Sequence, residues 1–178
     1  MDDEPPPTSG LLKESIIDEQ IHLLQAAMVK LTNCVQQLSD DQIWWRPVND
    51  LNSVGNLILH VCGNLRQWVI SGVGGEPDRR QREAEFSATG GQTSEALCQQ
   101  LTDTLAAVAS VLRVTTIEQL LSKRTIQGFE VTGHGAIVHS VSHFVGHTHQ
   151  IIQLTRLQLG SDYAFAWSPE SPTTDLPI

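Results

Sequence analysis

The stretch HSVSHFVGHTHQ, residues 139–150, places histidines at 139, 143, 147 and 149. On a helix, residues four apart lie one turn above each other and about 40° apart, so their side chains can converge on one point. His143 and His147 meet that condition, as do His139 and His143, whereas His149 lies about 120° round the helix from His143 and faces elsewhere. An i, i+4 pair of imidazoles is a recurrent way to hold a transition metal, but two ligands hold one poorly and a third must come from another element. His60, set in the apolar run NLILHVC, is the candidate. A buried neutral imidazole costs about 1–3 kcal/mol for each unpaired polar atom, and use of its bare nitrogen as a ligand removes part of that cost. Three histidines would leave coordination positions open, as catalytic rather than structural zinc sites do. The same residues also read as a solvated histidine stripe on one helix and a carbonyl-bonded core histidine on another. His22 and His134 show that the chain uses isolated histidines too, and spacing alone leaves both readings standing.

These side chains need elements to carry them. Apolar residues recur at helical spacing over 11–37, 53–71, 94–112 and 134–158, which predicts four long helices. Start signals separate them: Ser39 with Gln42 before a short helix that Pro47 stops, Asn52 or Ser53, Thr93 or Ser94, and Thr115 with Glu118 before a single turn at IEQLL. Residues 72–92, rich in glycine and charge, read as a long surface connection. KRTIQGFEVT, 123–132, alternates weakly and could be extended. The expected organisation is a disordered acidic and proline-rich tail over 1–9, an all-α four-helix bundle over 10–160, and an irregular tail over 161–178. Tyr163, Phe165 and Trp167 are candidates to pin that second tail to the body.

Composition narrows the partners. The 178 residues carry 20 acidic and 11 basic side chains, a net charge of −9. The densest basic spot, DRRQRE at 78–83, carries its own acids, so the concentrated positive face that nucleic acid needs is missing. No run of about 18 apolar residues offers a membrane span, and the start MDDEPPPTSG is the opposite of a signal peptide's basic, apolar opening. Cys34, Cys62 and Cys98 lack CxxC spacing and read as buried thiols rather than a disulfide framework. The expectation is a cytoplasmic chain with no membrane and no nucleic-acid partner.

The segment SHFVGHTHQII resembles the last-helix motif of the DinB/YfiT-like superfamily, in which His-x-x-x-His is followed by a glycine–glutamine pair. SDDQIWWRPVNDLNSVGNLILHVCGNLRQW resembles the matching first half, with its Trp-Arg-Pro and a histidine on the second helix. Together they cover most of 11–158 in the right order. The resemblance implies a four-helix bundle and a divalent metal, zinc or nickel foremost, held by His60, His143 and His147. Here His149 stands where the family usually has glycine, which touches local packing rather than the ligands. His139, Asn56, Asn64 and Gln150 are candidates for supporting roles: His139 toward the site, substrate or solvent, the asparagines toward His60, solvent or the adjoining loop, Gln150 as a cap or site contact. Trp44, Trp45 and Arg46 read as core packing and a cation–π clamp, Asp40 and Asp41 as helix-start charges. Members of the superfamily include thiol transferases and isomerases that use low-molecular-weight thiols, and metal-dependent hydrolases. The expected function is metal-assisted thiol transfer to a small electrophilic substrate. The alternatives are hydrolysis or a noncatalytic metal-binding or dimerisation bundle. A homodimer through a face including Val108, Val111 and Leu112 is also expected.

Overall fold

A computed structural model describes residues 8–167. Four long helical segments dominate it: α1 (Thr8–Gln36), α3 (Val54–Leu65, continued through a π-helical Arg66–Ser71), α5 (Ser94–Val114) and α7 (Gly133–Leu159). Shorter helices connect them: α2 (Asp40–Trp44), α4 (Arg82–Ser87) and α6 (Ile117–Leu121). The long helices pack as a square in which α1 and α3 each contact both α5 and α7. Leu31, Ile58, Leu101, Leu112, Ile137, Phe144 and Ile151 are fully buried between them. The periodic stretches therefore fall on the four long helices, with ends shifted by a few residues.

The caps explain most of the boundaries. Ser39 and Ser53 each accept from the backbone N–H three residues on, and their own backbone N–H groups donate to the side-chain oxygens of Gln42 and Asn56. The third capping box is Thr116–Gln119, one residue beyond the Thr115–Glu118 frame, because Thr115 is still tied to the end of α5 through Val111. Thr8 and Ser9, expected in the disordered N-terminal tail, are helical. Nothing in Thr8-Ser9-Gly10 removes a backbone donor, as a proline would, so α1 reaches back to Thr8. The rest of that tail, 1–7, lies outside the described residues.

The all-α expectation needs one amendment. Residues 123–132 form a two-stranded antiparallel hairpin, β1 (Lys123–Ile126) with β2 (Phe129–Thr132). Gln127 and Gly128 both have positive φ, 52° and 83°, as the tight two-residue turn of a twisted hairpin requires. Arg124 anchors it by donating to the carbonyls of Gly72 and Gln119. The fold is mostly helical with this small sheet.

After α7 the chain doubles back. Ala164 accepts from Asn33 and Gln37 and donates to Gln37, while the Tyr163 hydroxyl lies 3.7 Å from the Cys34 sulfur. Tyr163 is half-buried there, whereas Phe165 and Trp167 stay largely exposed. Residues 168–178 of the expected tail lie outside the described residues. No described helix is long and apolar enough to cross a membrane.

Candidate metal centre

His60 sits on α3 where its sequence neighbours Ile58 and Val61 are fully buried, and its own side chain is 8% exposed. His143 and His147 stand one turn apart on α7 and are half-buried. Packing of α3 against α7 brings the three rings together: one nitrogen from each lies within 4.8 Å of the others. Ring centroids are 4.9 Å apart for His60–His143, 5.0 Å for His60–His147 and 4.3 Å for His143–His147. The three histidines singled out by spacing and resemblance thus meet across two helices, and they could hold a metal ion.

The outer nitrogens tell which inner ones are available. Glu85 Oε2 lies 3.0 Å from His60 Nδ1, and a carboxylate can only accept, so Nδ1 carries the proton and Nε2 offers its lone pair. The His147 Nδ1 lies 2.9 Å from the Gln150 amide oxygen, which fixes that ring in the same sense. His60 Nε2 and His143 Nε2 lie only 2.8 Å apart. Two bare lone pairs repel at that distance, so in the metal-free chain one of the two nitrogens carries a proton and donates to the other. A set of neutral imidazole nitrogens facing one another, each backed by an acceptor on the far side where one is present, suits zinc, nickel and related ions.

Electrostatics favour the neutral, ligating form. Burial, followed by the neighbouring His147, His60, His139 and Arg80, pushes the His143 pKa down to about 3. Burial also lowers His147, against the Gln150 bond, which works to raise it. For Glu85, burial acts to raise the pKa, but bonds from Arg80 and His60 outweigh it and hold the carboxyl below its ordinary range.

Sequence reading missed Glu85 and Arg80. Both fall in 72–92, assigned to a surface connection, yet α4 folds back onto α3 and buries Glu85 to 8% exposure. Arg80 grips both oxygens of Glu85 at 2.7 and 2.8 Å and reaches Gln67 at 2.9 Å. The length of the connection was the available signal, since structureless loops beyond about 12–15 residues are uncommon in compact domains. A cavity of about 770 Å³ lies on the far side of this clamp, lined by Arg66, Arg80, Glu85 and Gln100 rather than by His143 or His147.

The supporting residues divide. Gln150 contacts His147 directly. Asn56 is buried and makes no hydrogen bond to the His60 ring. Its amide donates to the carbonyls of Glu85 and Ala88 at 2.9 and 2.8 Å, so it acts on His60 through the backbone that carries Glu85. Arg46 donates to the carbonyls of Phe86 and Ala88, both at 3.0 Å, and so is a strut rather than a cation–π clamp. Asn64 accepts from Ser140 at 2.7 Å, a buried link that registers α3 against α7 beside the triad. His139 is exposed and stacks on Trp68 with centroids 3.9 Å apart, and its ring lies 5.8 Å from that of His143. His149 and His134 are exposed, and His22 is half-buried on α1, outside the cluster.

Residues 13–169 match the family model described as a protein of unknown function, DUF1572. The chain belongs to the DUF1572 family. Two solved structures share its fold. One, a conserved protein from Enterococcus faecalis, aligns with a TM-score of 0.69 at 19% identity over 81% of this chain and 97% of its own. The other, the DinB-like protein YjoA of Bacillus subtilis, aligns with a TM-score of 0.63 at 15% identity over 85% of this chain and 99% of its own. At these identities the likeness carries the fold alone, and it is consistent with the DinB/YfiT-like superfamily that the two half-motifs resemble. No curated protein matches this DUF1572 chain.

Proposed function

We propose that this DUF1572 protein is a metal-dependent enzyme, a four-helix bundle of the DinB/YfiT-like type in which His60, His143 and His147 hold a divalent transition metal. Zinc and nickel are the foremost candidates, and the reaction we favour is transfer of a low-molecular-weight thiol to a small electrophilic substrate. The observation that carries the reading is the convergence of three imidazoles with the His60 and His147 rings already turned to offer Nε2. A metal bound there would act as a Lewis acid and lower the pKa of a coordinated thiol. In the transfer the sulfur bonds to the electrophilic atom as the bond from that atom to the leaving group breaks, and the leaving group departs with the electron pair. The S–H bond breaks and its proton passes to a base. Glu85 is unsuited to that task, because both its oxygens are already bonded by Arg80 and His60. His139 is better placed, being exposed beside His143 and kept neutral by a burial-lowered pKa. Phe86, 4.7 Å from His60, and Trp68 beneath His139 supply apolar surroundings for a substrate.

Against a purely structural metal module stands the ligand count. Among the described residues no fourth histidine, cysteine, aspartate or glutamate joins the three. Hydrolysis with the same metal is the alternative chemistry. A cytoplasmic setting accords with three unpaired cysteines, as a reducing compartment keeps thiols free. The test is to reconstitute the protein with zinc or nickel and screen pairs of thiols and electrophiles beside ester and amide substrates. Metal-dependent consumption of a thiol–electrophile pair, lost in His143→Ala, is expected. Turnover of esters or amides only would move the assignment to hydrolysis, and metal binding without any turnover would support the noncatalytic module.

A further inference from the structure

We infer that Glu85 is a positioning residue that sets the tautomer of His60, and that Arg80 and Gly63 are arranged so that it can. The inference rests on the metal reading given above and goes on to a residue outside the three ligands. His60 Nδ1 has two polar neighbours with opposite demands: Glu85 Oε2 at 3.0 Å, which can only accept, and Arg80 Nη2 at 3.1 Å, which can only donate. If Arg80 prevailed, Nδ1 would have to be the bare nitrogen and the proton would sit on Nε2, the atom that faces His143. Such a ring cannot offer Nε2 as a ligand. Glu85 decides the contest because its Oε2 accepts from Arg80 Nη2 at 2.8 Å and from His60 at the same time. Arg80 Nε on the other oxygen, at 2.7 Å, keeps the carboxylate oriented.

The backbone is shaped for this contact. Gly63 lies one turn beyond His60 on α3, and a Cβ built there would stand 2.0 Å from Glu85 Oε1 and 3.1 Å from Arg80 Nε. Only glycine lets the carboxylate approach. The obstructed atom is the end of a flexible side chain, so alanine at 63 would displace Glu85 while leaving the helix intact. Asn56 and Arg46 fix the carbonyls of residues 85, 86 and 88, which determines where the Glu85 side chain starts. A carboxylate behind a ligating histidine is a known means of orienting the ring, and its loss lowers metal affinity about 10- to 100-fold in other metalloproteins.

The test measures the histidine ring nitrogens of the metal-free, ¹⁵N-labelled protein by NMR, together with zinc affinity by chelator competition. In the wild type His60 should show a protonated Nδ1 and a bare Nε2. Glu85→Ala should reverse that pattern, because Arg80 alone then addresses Nδ1, and should weaken zinc binding about 10- to 100-fold. The double variant Glu85→Ala with Arg80→Ala should recover part of the affinity, since the competing donor is gone. Gly63→Ala should resemble Glu85→Ala although it alters neither a ligand nor a charge. A His60 that keeps Nδ1–H in both Glu85→Ala and Gly63→Ala overturns the proposal, as does zinc affinity equal to wild type in both. A wild-type chain that binds no zinc overturns the metal reading instead, and the nitrogen pattern of the metal-free chain still decides the role of Glu85.

Discussion

At His60, two requirements meet in one ring: it lies among core residues of α3, and its free nitrogen must face α7. The i, i+4 spacing made His143 and His147 legible as a pair, and the apolar neighbours of His60 marked it as out of place. Glu85 and Arg80 were not legible, because their partnership depends on how a glycine-rich connection folds back and has no sequence period. The low pKa of His143 yields a prediction for the metal-free protein. Its folded value of about 3 lies below the 6.5 of a free imidazole, so between those values the unfolded chain binds more protons. Stability is therefore full above about pH 7 and declines as pH falls through that window. Thermal melts of the metal-free protein should give a lower Tm at pH 5 than at pH 7.5, and equal values would contradict the assignment. An ordinary imidazole puts proton competition with the metal near about pH 6.5, and burial moves that competition at His143 and His147 to more acidic pH.

Among the elements, the register of α3 on α7 matters most, because a shift between them would separate His60 from the other two. The Ser140–Asn64 bond holds that register in a setting where both residues are buried. Ser140→Ala leaves the Asn64 amide oxygen without a donor and should cost about 1–3 kcal/mol in urea denaturation. A loss within about 0.5 kcal/mol, the usual range for surface substitutions, would show that the link is dispensable. A second contact fixes α2 on α3: a Cβ at Gly55 would meet the Trp44 ring at 2.8 to 3.0 Å, and the Trp44 Nε1 donates to Gln92. Gly55→Ala should destabilise by about 1–3 kcal/mol through overpacking, measured in the same way. The long helices and the Ser39–Gln42 capping box were readable because periodicity and cap chemistry are local, and Ser53 was one of two residues legible as the cap of α3. The hairpin was only half readable: its Gln-Gly turn is weaker than Asn-Gly, and its anchor, Arg124, pairs with residues 5 and 52 positions away.

On the scale of the whole molecule, Val108 and Leu112 are fully buried inside the chain's own core and Val111 packs against Gly74. Val108 and Leu112 therefore cannot contribute to the pairing face suggested by their apolar character, which period alone does not distinguish from core, and Val111 is half-buried. The homodimer remains a proposal, and it requires another surface: sedimentation should show a dimer at micromolar concentration that Val111→Asp leaves paired wherever that variant folds. The central claim is the three-histidine metal centre, and elemental analysis of zinc-reconstituted protein tests it most directly. Wild type should carry one equivalent per chain, and His22→Ala, His134→Ala and His149→Ala should keep it. His60→Ala, His143→Ala and His147→Ala should each lose most of it. Metal content that survives both His143→Ala and His147→Ala, or that depends on His149 instead, would contradict the account.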